Sequence, residues 1–278
     1  LLGDPHIGLD ISNQIIPIAI DDLNSEDISF TATVGDLTEE GALDSYKQAK
    51  DIFDAFEKPN PMTLGNHDMM GGGEGPEAGL QHWNDVFGLP ASSVHEADGI
   101  RVVMINSAAP SVSPFRPFDF ITGDFVDGPK ESVSGGVIGE EAAAFIDTLE
   151  PGPPTFIVLH HPPFPYLGIP PVLFGLNEPS SNLLAKAVEK SGAWGVICGH
   201  THRSAIYGFA GVPFIEIPST KEWPFGYGIV EVSEKGWSLN LKPISDEGLI
   251  AEASKHANVI VRRYARGPEQ ARAFSTVV

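Results

Sequence analysis

Five short segments concentrate side chains able to hold a metal ion: Gly3-Asp4-Pro5-His6, Gly35-Asp36, Gly65-Asn66-His67-Asp68, His160-His161 and Gly199-His200-Thr201-His202. Carboxylates, neutral imidazoles and an amide oxygen suit borderline divalent cations such as Mn, Fe, Zn or Co better than Ca or Mg. In Asp4-x-His6 both side chains leave one short turn toward one point. His200-x-His202 can do the same, at one ion or divided between two, and a carboxylate with two oxygens can bridge. Taken singly, Asp4-x-His6 or Gly35-Asp36 reads as a turn-forming aspartate, and a lone histidine as a satisfied polar residue. Their combination carries the weight. His82, His95 and His256 stand in no such context and are read as structural or surface residues.

Such groups act together only if strands deliver them to one place. Apolar, β-prone runs near 28–34, 62–64, 101–106, 155–159 and 194–198 alternate with segments whose apolar residues recur at three- and four-residue spacing. These segments, Asn13–Leu23, Ala42–Phe56, Glu140–Leu149 and Asn182–Lys190, predict amphipathic helices covering a largely parallel sheet. Each polar motif falls where a strand would release the chain, and open α/β sheets bind ligands in the crevice outside the carboxyl ends of their strands. Glycines 35, 65 and 199 leave that crevice clear and allow sharp turns. After Thr201, short runs at Ala205–Phe209, Val212–Ile217, Gly228–Val232 and Trp237–Leu241 predict antiparallel pairing in a second sheet. The expected architecture is α/β, a four-layer αββα sandwich of two mixed β-sheets flanked by helices.

Met69–Gly79, Ser107–Ile138 and Pro162–Ser181 fit no element and are expected to be functional or irregular loops. The apolar side chains of the third suit a substrate wall or a homo-oligomer contact as well as a self-packed connector. The domain is expected over residues 1–243, with a C-terminal extension at 244–278 that carries a helix over Leu249–Ala265 docked on the core.

With 278 residues and 42% hydrophobic content, the chain can bury a large single core. It holds 17 Lys and Arg against 37 Asp and Glu, a net charge of −20, which disfavours a nucleic-acid duplex as partner. No apolar run is long enough to span a bilayer. Cys198, the single cysteine, excludes an intrachain disulfide and is expected buried at a strand end. The chain starts at Leu1 with three residues before the first motif, so a trimmed targeting segment stays open, with the cytoplasm otherwise favoured.

In order and spacing, the five motifs resemble those of the calcineurin-like metallophosphoesterase superfamily: D-x-H, G-D, G-N-H-D/E, H and G-H-x-H. The resemblance covers residues 3 to 202 and extends to about 243. The texture is most similar to the bacterial and archaeal class III cyclic-nucleotide phosphodiesterases. It implies two divalent ions, one on Asp4, His6 and His202, the other on Asn66, His160 and His200, with Asp36 bridging. It implies hydrolysis of a small phosphoester by a shared hydroxide, a phosphodiester of cyclic-nucleotide or glycerophosphodiester type, or in the alternative a monoester. His160 rather than His161 matches the family histidine, leaving His161 behind it. His67 would serve the leaving group, oriented by Glu39 or by Asp68. Glu39 stands where purple acid phosphatases carry their tyrosine, so no iron(III)–tyrosinate colour is expected. Arg203, Arg116 and Lys221 are read as ordinary surface charges. A non-catalytic, protein-binding member of the fold is the rival class, and the retained ligands count against it.

Overall fold

A computed structural model describes residues 1–112, 131–132, 135–163, 175–256 and 266–277. Fourteen strands and seven α-helices follow one another among these residues. β1 (Leu2–Gly3), α1 (Asp10–Asn24), β2 (Thr33–Val34), α2 (Leu43–Phe53) and β3 (Met62–Thr63) come first. A 3₁₀ helix over Asp68–Gly73 then leads to α3 (Pro76–Val86), β4 (Ser93–Ala97) and β5 (Ile100–Ile105). The middle holds β6 (Ser111–Val112), β7 (Glu131–Ser132), α4 (Glu140–Asp147), β8 (Thr155–Leu159), α5 (Glu178–Ser191) and β9 (Gly195–Cys198). Last are β10 (Ala205–Phe209), β11 (Val212–Glu216), β12 (Gly226–Ser233), β13 (Gly236–Pro243), α6 (Glu247–His256), α7 (Glu269–Arg272) and β14 (Ala273–Val277).

Two sheets face each other. In one, β1, β2 and β3 run parallel, and β12, β13 and β14 form an antiparallel trio. Leu1 joins the halves: its amine donates to the Gly228 carbonyl at 2.6 Å, and the Gly228 N–H returns to the Leu1 carbonyl at 3.0 Å. The other sheet has the order β10-β11-β9-β8-β5-β4, parallel at its centre and antiparallel at both edges. Between them lies a core that includes Val34, Met104, Val158, Ile197, Trp237 and Leu239. Helices α1, α2 and α3 cover the first sheet through Ile16, Tyr46 and Trp83. Helices α4 and α5 cover the second through Ile146, Leu184 and Val188. This is the expected four-layer αββα arrangement. β8 is buried at all five positions, as a strand covered on both faces must be, which explains its unbroken apolar run.

Local chemistry sets the boundaries. Asn177 caps α5 by accepting the Ser180 N–H at 2.9 Å, and Gly192 ends it in a left-handed conformation. The hairpins β4–β5 and β10–β11 turn on Asp98-Gly99 and Ala210-Gly211, with positive φ at all four residues.

The structure corrects the strand assignment after Thr201. β10 and β11 do not start a second sheet, because β11 pairs parallel with β9, Ile215 opposite Ile197, and extends the parallel core of β5, β8 and β9. Strands 28–34 and 62–64 instead belong to the opposite sheet, and within them only Thr33–Val34 and Met62–Thr63 pair. Met69–Gly79 is not a plain loop but the 3₁₀ helix and the first turn of α3, with Pro76 at its start. The C-terminal segment contributes a strand as well as helix: β14 pairs with β13 from Ala273 opposite Asn240 to Val277 opposite Gly236. Parts of the expected elements at 107–138, 162–181 and 249–265, with Arg116 and the His256 side chain, lie outside the described residues.

Trp237 couples the sheets. Its ring lies edge-on to Phe156 and Phe274 at 5.0 and 5.1 Å between centroids, and its Nε1–H donates to the Trp194 carbonyl at 3.2 Å. Trp237→Ala should lower unfolding free energy by about 3–5 kcal/mol, the ordinary cost of emptying an aromatic site. Urea denaturation checks it, and a change below about 1 kcal/mol would mean that the sheets hold without this contact.

Candidate metal centre

The parallel strands bring the five motifs to one edge. Asp4 and His6 follow β1, Asp36 follows β2, Asn66 and His67 follow β3, His160 follows β8, and His200 and His202 follow β9. One Asp36 oxygen, Oδ2, lies 3.5 Å from His6 Nε2 and 3.2 Å from His160 Nε2. On one side of it, ligand atoms of Asp4, His6, Asp36 and His202 lie within 4.8 Å of one another. On the other, His160 Nε2 is 3.1 Å from Asn66 Oδ1 and 3.2 Å from His200 Nδ1. Every residue expected to bind metal is thus at the site.

The chain holds this geometry against its own preferences. Asp4, His6, Asp36, His200 and His202 all have positive φ, a region costing side-chain-bearing residues roughly 1 kcal/mol or more each. Neighbouring groups fix them. The His6 N–H donates to the Asp36 carbonyl at 2.9 Å, and the His200 N–H to Asp4 Oδ1 at 2.9 Å. Ser219 Oγ donates to the Asp4 carbonyl at 2.7 Å. A Cβ at Gly65 would overlap Asp36 Oδ1, and one at Gly199 would overlap Asp4 Oδ2, so both positions require glycine.

Two glutamates aim the histidines. His6 Nδ1 is 2.8 Å from Glu39 Oε2, and His202 Nδ1 is 2.7 Å from Glu222 Oε1. A carboxylate only accepts, so each Nδ1 carries a proton, which leaves Nε2 as the atom each ring offers inward to a metal. Those two Nε2 atoms face each other at 3.2 Å, an arrangement that a cation between them satisfies. Asp4 Oδ2 is buried without a hydrogen-bond partner among the described residues, again as a ligand atom would be. The residues therefore fit a pair of divalent cations.

Glu39 departs from expectation. Its carboxylate holds His6, while its main-chain carbonyl accepts from His67 Nδ1 at 2.6 Å. Asp68 does not orient the His67 ring. Its carboxylate accepts from the N–H groups of Leu37, Thr38 and Gly65 and from the Thr38 hydroxyl at 2.9–3.0 Å, fastening two ligand loops together. Glu222 was missed for want of any motif around it, since it reaches His202 from a loop 20 residues further on. His161 packs against His200 with ring centroids 4.6 Å apart, and its Nδ1 meets Ser107 Oγ at 3.0 Å. One of its ring nitrogens lies within 4.8 Å of nitrogens of His160 and His200, but His160 alone of the pair contacts both Asp36 and Asn66.

Two cations read as surface charges are not at the surface. The Arg203 side chain is 12% exposed and pairs through two nitrogens with buried Glu216, at 2.6 and 2.9 Å. The Lys221 side chain is 14% exposed, and its Nζ is 3.7 Å from Glu222 Oε1. His82 and His95 do lie outside the centre: His82 Nδ1 meets the Gly41 carbonyl at 2.9 Å, and the His95 ring packs on Phe30. Cys198 is buried, as expected.

A model of the calcineurin-like phosphoesterase family matches residues 1–204, and the chain belongs to that family. It is 28% identical over 196 residues, 67% of its length, to a protein of Rhodococcus erythropolis (strain PR4 / NBRC 100887) named "Probable cyclic nucleotide phosphodiesterase". The chain spans 55% of that relative's length. A dimetal phosphatase from Danio rerio superposes with a TM-score of 0.60 at 13% identity, over 87% of this chain and 94% of the other. GAP50, the anchor in the inner membrane complex of Plasmodium, superposes at 0.56 with 12% identity, over 97% and 96%. These two likenesses bear on the fold. No helix among the described residues is long and apolar enough to cross a membrane.

Electrostatics gives the centre a pH signature. Burial opposes charge on Asp36, but His160 and His6 outweigh it and hold its carboxyl well below the usual range. Burial likewise opposes charge on His160, yet Asp36 and Asp4 raise it to about 9. Burial and the neighbouring His160 push His200 down to about 3. In metal-stripped protein at pH 7, His160 is therefore protonated and a metal must displace that proton. Metal uptake should release at least one proton per chain at pH 7, and affinity should climb as pH rises toward 9. Calorimetry in buffers of different ionisation enthalpy measures the release, and none at pH 7 would contradict this charge state.

Proposed function

We propose that the chain hydrolyses phosphoester bonds with two divalent ions held by Asp4, His6, Asp36, Asn66, His160, His200 and His202. One observation carries the reading: seven donor residues from five separate segments meet in one cluster, with a single Asp36 oxygen lying between His6 on one side and His160 on the other. The ions would lower the pKa of water and neutralise phosphoryl oxygens, the two tasks that phosphate ester cleavage most needs. Mn, Fe, Zn and Co fit the donors best.

The chain's own groups do the rest. Asp4 and His202 fix one side and Asn66 and His160 the other, so the phosphoryl group would sit between them. The His67 N–H donates to Asp36 Oδ1 at 2.9 Å, which anchors the bridging carboxylate. Because a carbonyl only accepts, the bond to Glu39 places the proton of neutral His67 on Nδ1. Its Nε2 is then the atom that, once it has taken up a proton, can give it to the leaving oxygen and return to the neutral ring, a role worth about 10²–10⁴-fold. Glu39 acts through His6 and through His67, as a positioning residue.

A small phosphodiester is the favoured substrate, of cyclic-nucleotide or glycerophosphodiester type. The likeness to the named Rhodococcus protein supports that choice over a monoester. Across the whole molecule the charge is −20, but two dications over Asp4 and Asp36 would leave the inner site positive enough to draw an anion. The complete ligand set speaks against a purely protein-binding role.

Metal-stripped protein reloaded with Mn, Fe, Co, Zn or Mg should cleave bis(p-nitrophenyl) phosphate faster than p-nitrophenyl phosphate. Asp36→Ala should abolish cleavage, and His67→Ala should lower turnover by about 10²-fold or more with metal content retained. Two bound ions without cleavage of either ester would count against the proposal, and unchanged turnover in His67→Ala would remove His67 from it.

A further inference from the structure

An ammonium group carries three donors, and holding it largely out of water with none of them hydrogen-bonded is unfavourable. Lys221 approaches that position: its stem is largely covered, while its ammonium stays open to water at the site. Its side chain is 14% exposed and makes no hydrogen bond among the described residues; its one ion pair, to Glu222 Oε1, is 3.7 Å long. That oxygen is already engaged by His202 Nδ1 at 2.7 Å. The other half-buried cation of this region, Arg203, is already engaged by Glu216 through two nitrogens. Lys221 is the neighbour whose donors stay uncommitted.

Its place is at the centre itself. Thr220 beside it is tied into β1, the Thr220 N–H donating to the Gly3 carbonyl at 2.7 Å and its hydroxyl accepting the Gly3 N–H at 3.2 Å. On the other side, Glu222 is fastened to His202. The backbone of Lys221 is thus held between two anchors on the Asp4–His6–His202 side, and its positive charge reaches His6 and Glu39 as well as Glu222. A fixed ammonium with free donors beside a cation site is built to receive an oxyanion.

We propose that Lys221 binds a non-bridging oxygen of the phosphoryl group. This rests on the phosphoesterase reading and deepens it: the centre would present three positive groups to the phosphate, two of them metals and the third from the chain. Lys221 then sets how tightly phosphate is held, while the glutamate next to it sets the His202 imidazole.

The test uses inorganic phosphate as probe on metal-loaded protein, by calorimetry, with metal content measured in parallel for wild type, Lys221→Met and Lys221→Arg. Lys221→Met should weaken phosphate binding about tenfold or more with both ions retained, and Lys221→Arg should recover most of the loss. Unchanged phosphate affinity in Lys221→Met would overturn the proposal. So would loss of metal from Lys221→Met, which would make the residue a support for Glu222 and His202. Wild type that holds two ions but takes no phosphate would instead sink the phosphoesterase reading, and this proposal with it.

Discussion

Two buried aspartates and four buried or half-buried imidazoles share one small volume. Among the described residues Asp4 keeps an oxygen without a hydrogen bond, and two imidazole nitrogens face each other at 3.2 Å. A metal cation among them would give each a partner, where unpaired buried charge costs several kcal/mol. Much of the surrounding structure follows from assembling that cluster. Glycines precede Asp36, Asn66 and His200 because neighbouring ligands fill the space a side chain would need. Asp68 ties the Gly35-Asp36 and Gly65-Asn66 loops with a single carboxylate, and Glu39 and Glu222 orient one imidazole each.

The strain needs a rigid frame, and the layered core supplies it. Left-handed backbone at five ligand positions is held by strands whose side chains are buried on both faces, so a loop cannot relax without disturbing packed neighbours. The parallel order matters as much. Because β1, β2 and β3 run together in one sheet and β5, β8 and β9 in the other, every strand releases its ligand at the same edge. The cluster then closes across the gap between sheets, His160 of one against Asp36 of the other.

The ligands were legible because their chemistry is local. Gly-Asn-His-Asp and Gly-His-Thr-His announce themselves by residue type and by their position after apolar runs, and helix period exposed α1, α2, α4 and α5. Pairing partners were less legible, since which sheet a strand joins depends on contacts distant in sequence. Ile215 of β11 lies opposite Ile197 of β9, and no local pattern distinguishes that from an edge on the other sheet. The β4–β5 hairpin did carry a signal in Asp98-Gly99, which a reading centred on longer runs passed over. Glu222, Lys221 and the bidentate Arg203 depend on side chains reaching across folded space, where type and spacing say nothing in advance.

The central claim is that Asp36 stands between two cations rather than beside one. Loading metal-stripped protein with Mn and measuring both stoichiometry and magnetic coupling tests this directly. Two ions per chain, coupled through a bridge at about 3.5–4 Å, and one uncoupled ion or none in Asp36→Ala, are the predicted results. A single ion per chain at saturation, or two uncoupled ions unaffected by Asp36→Ala, would contradict it.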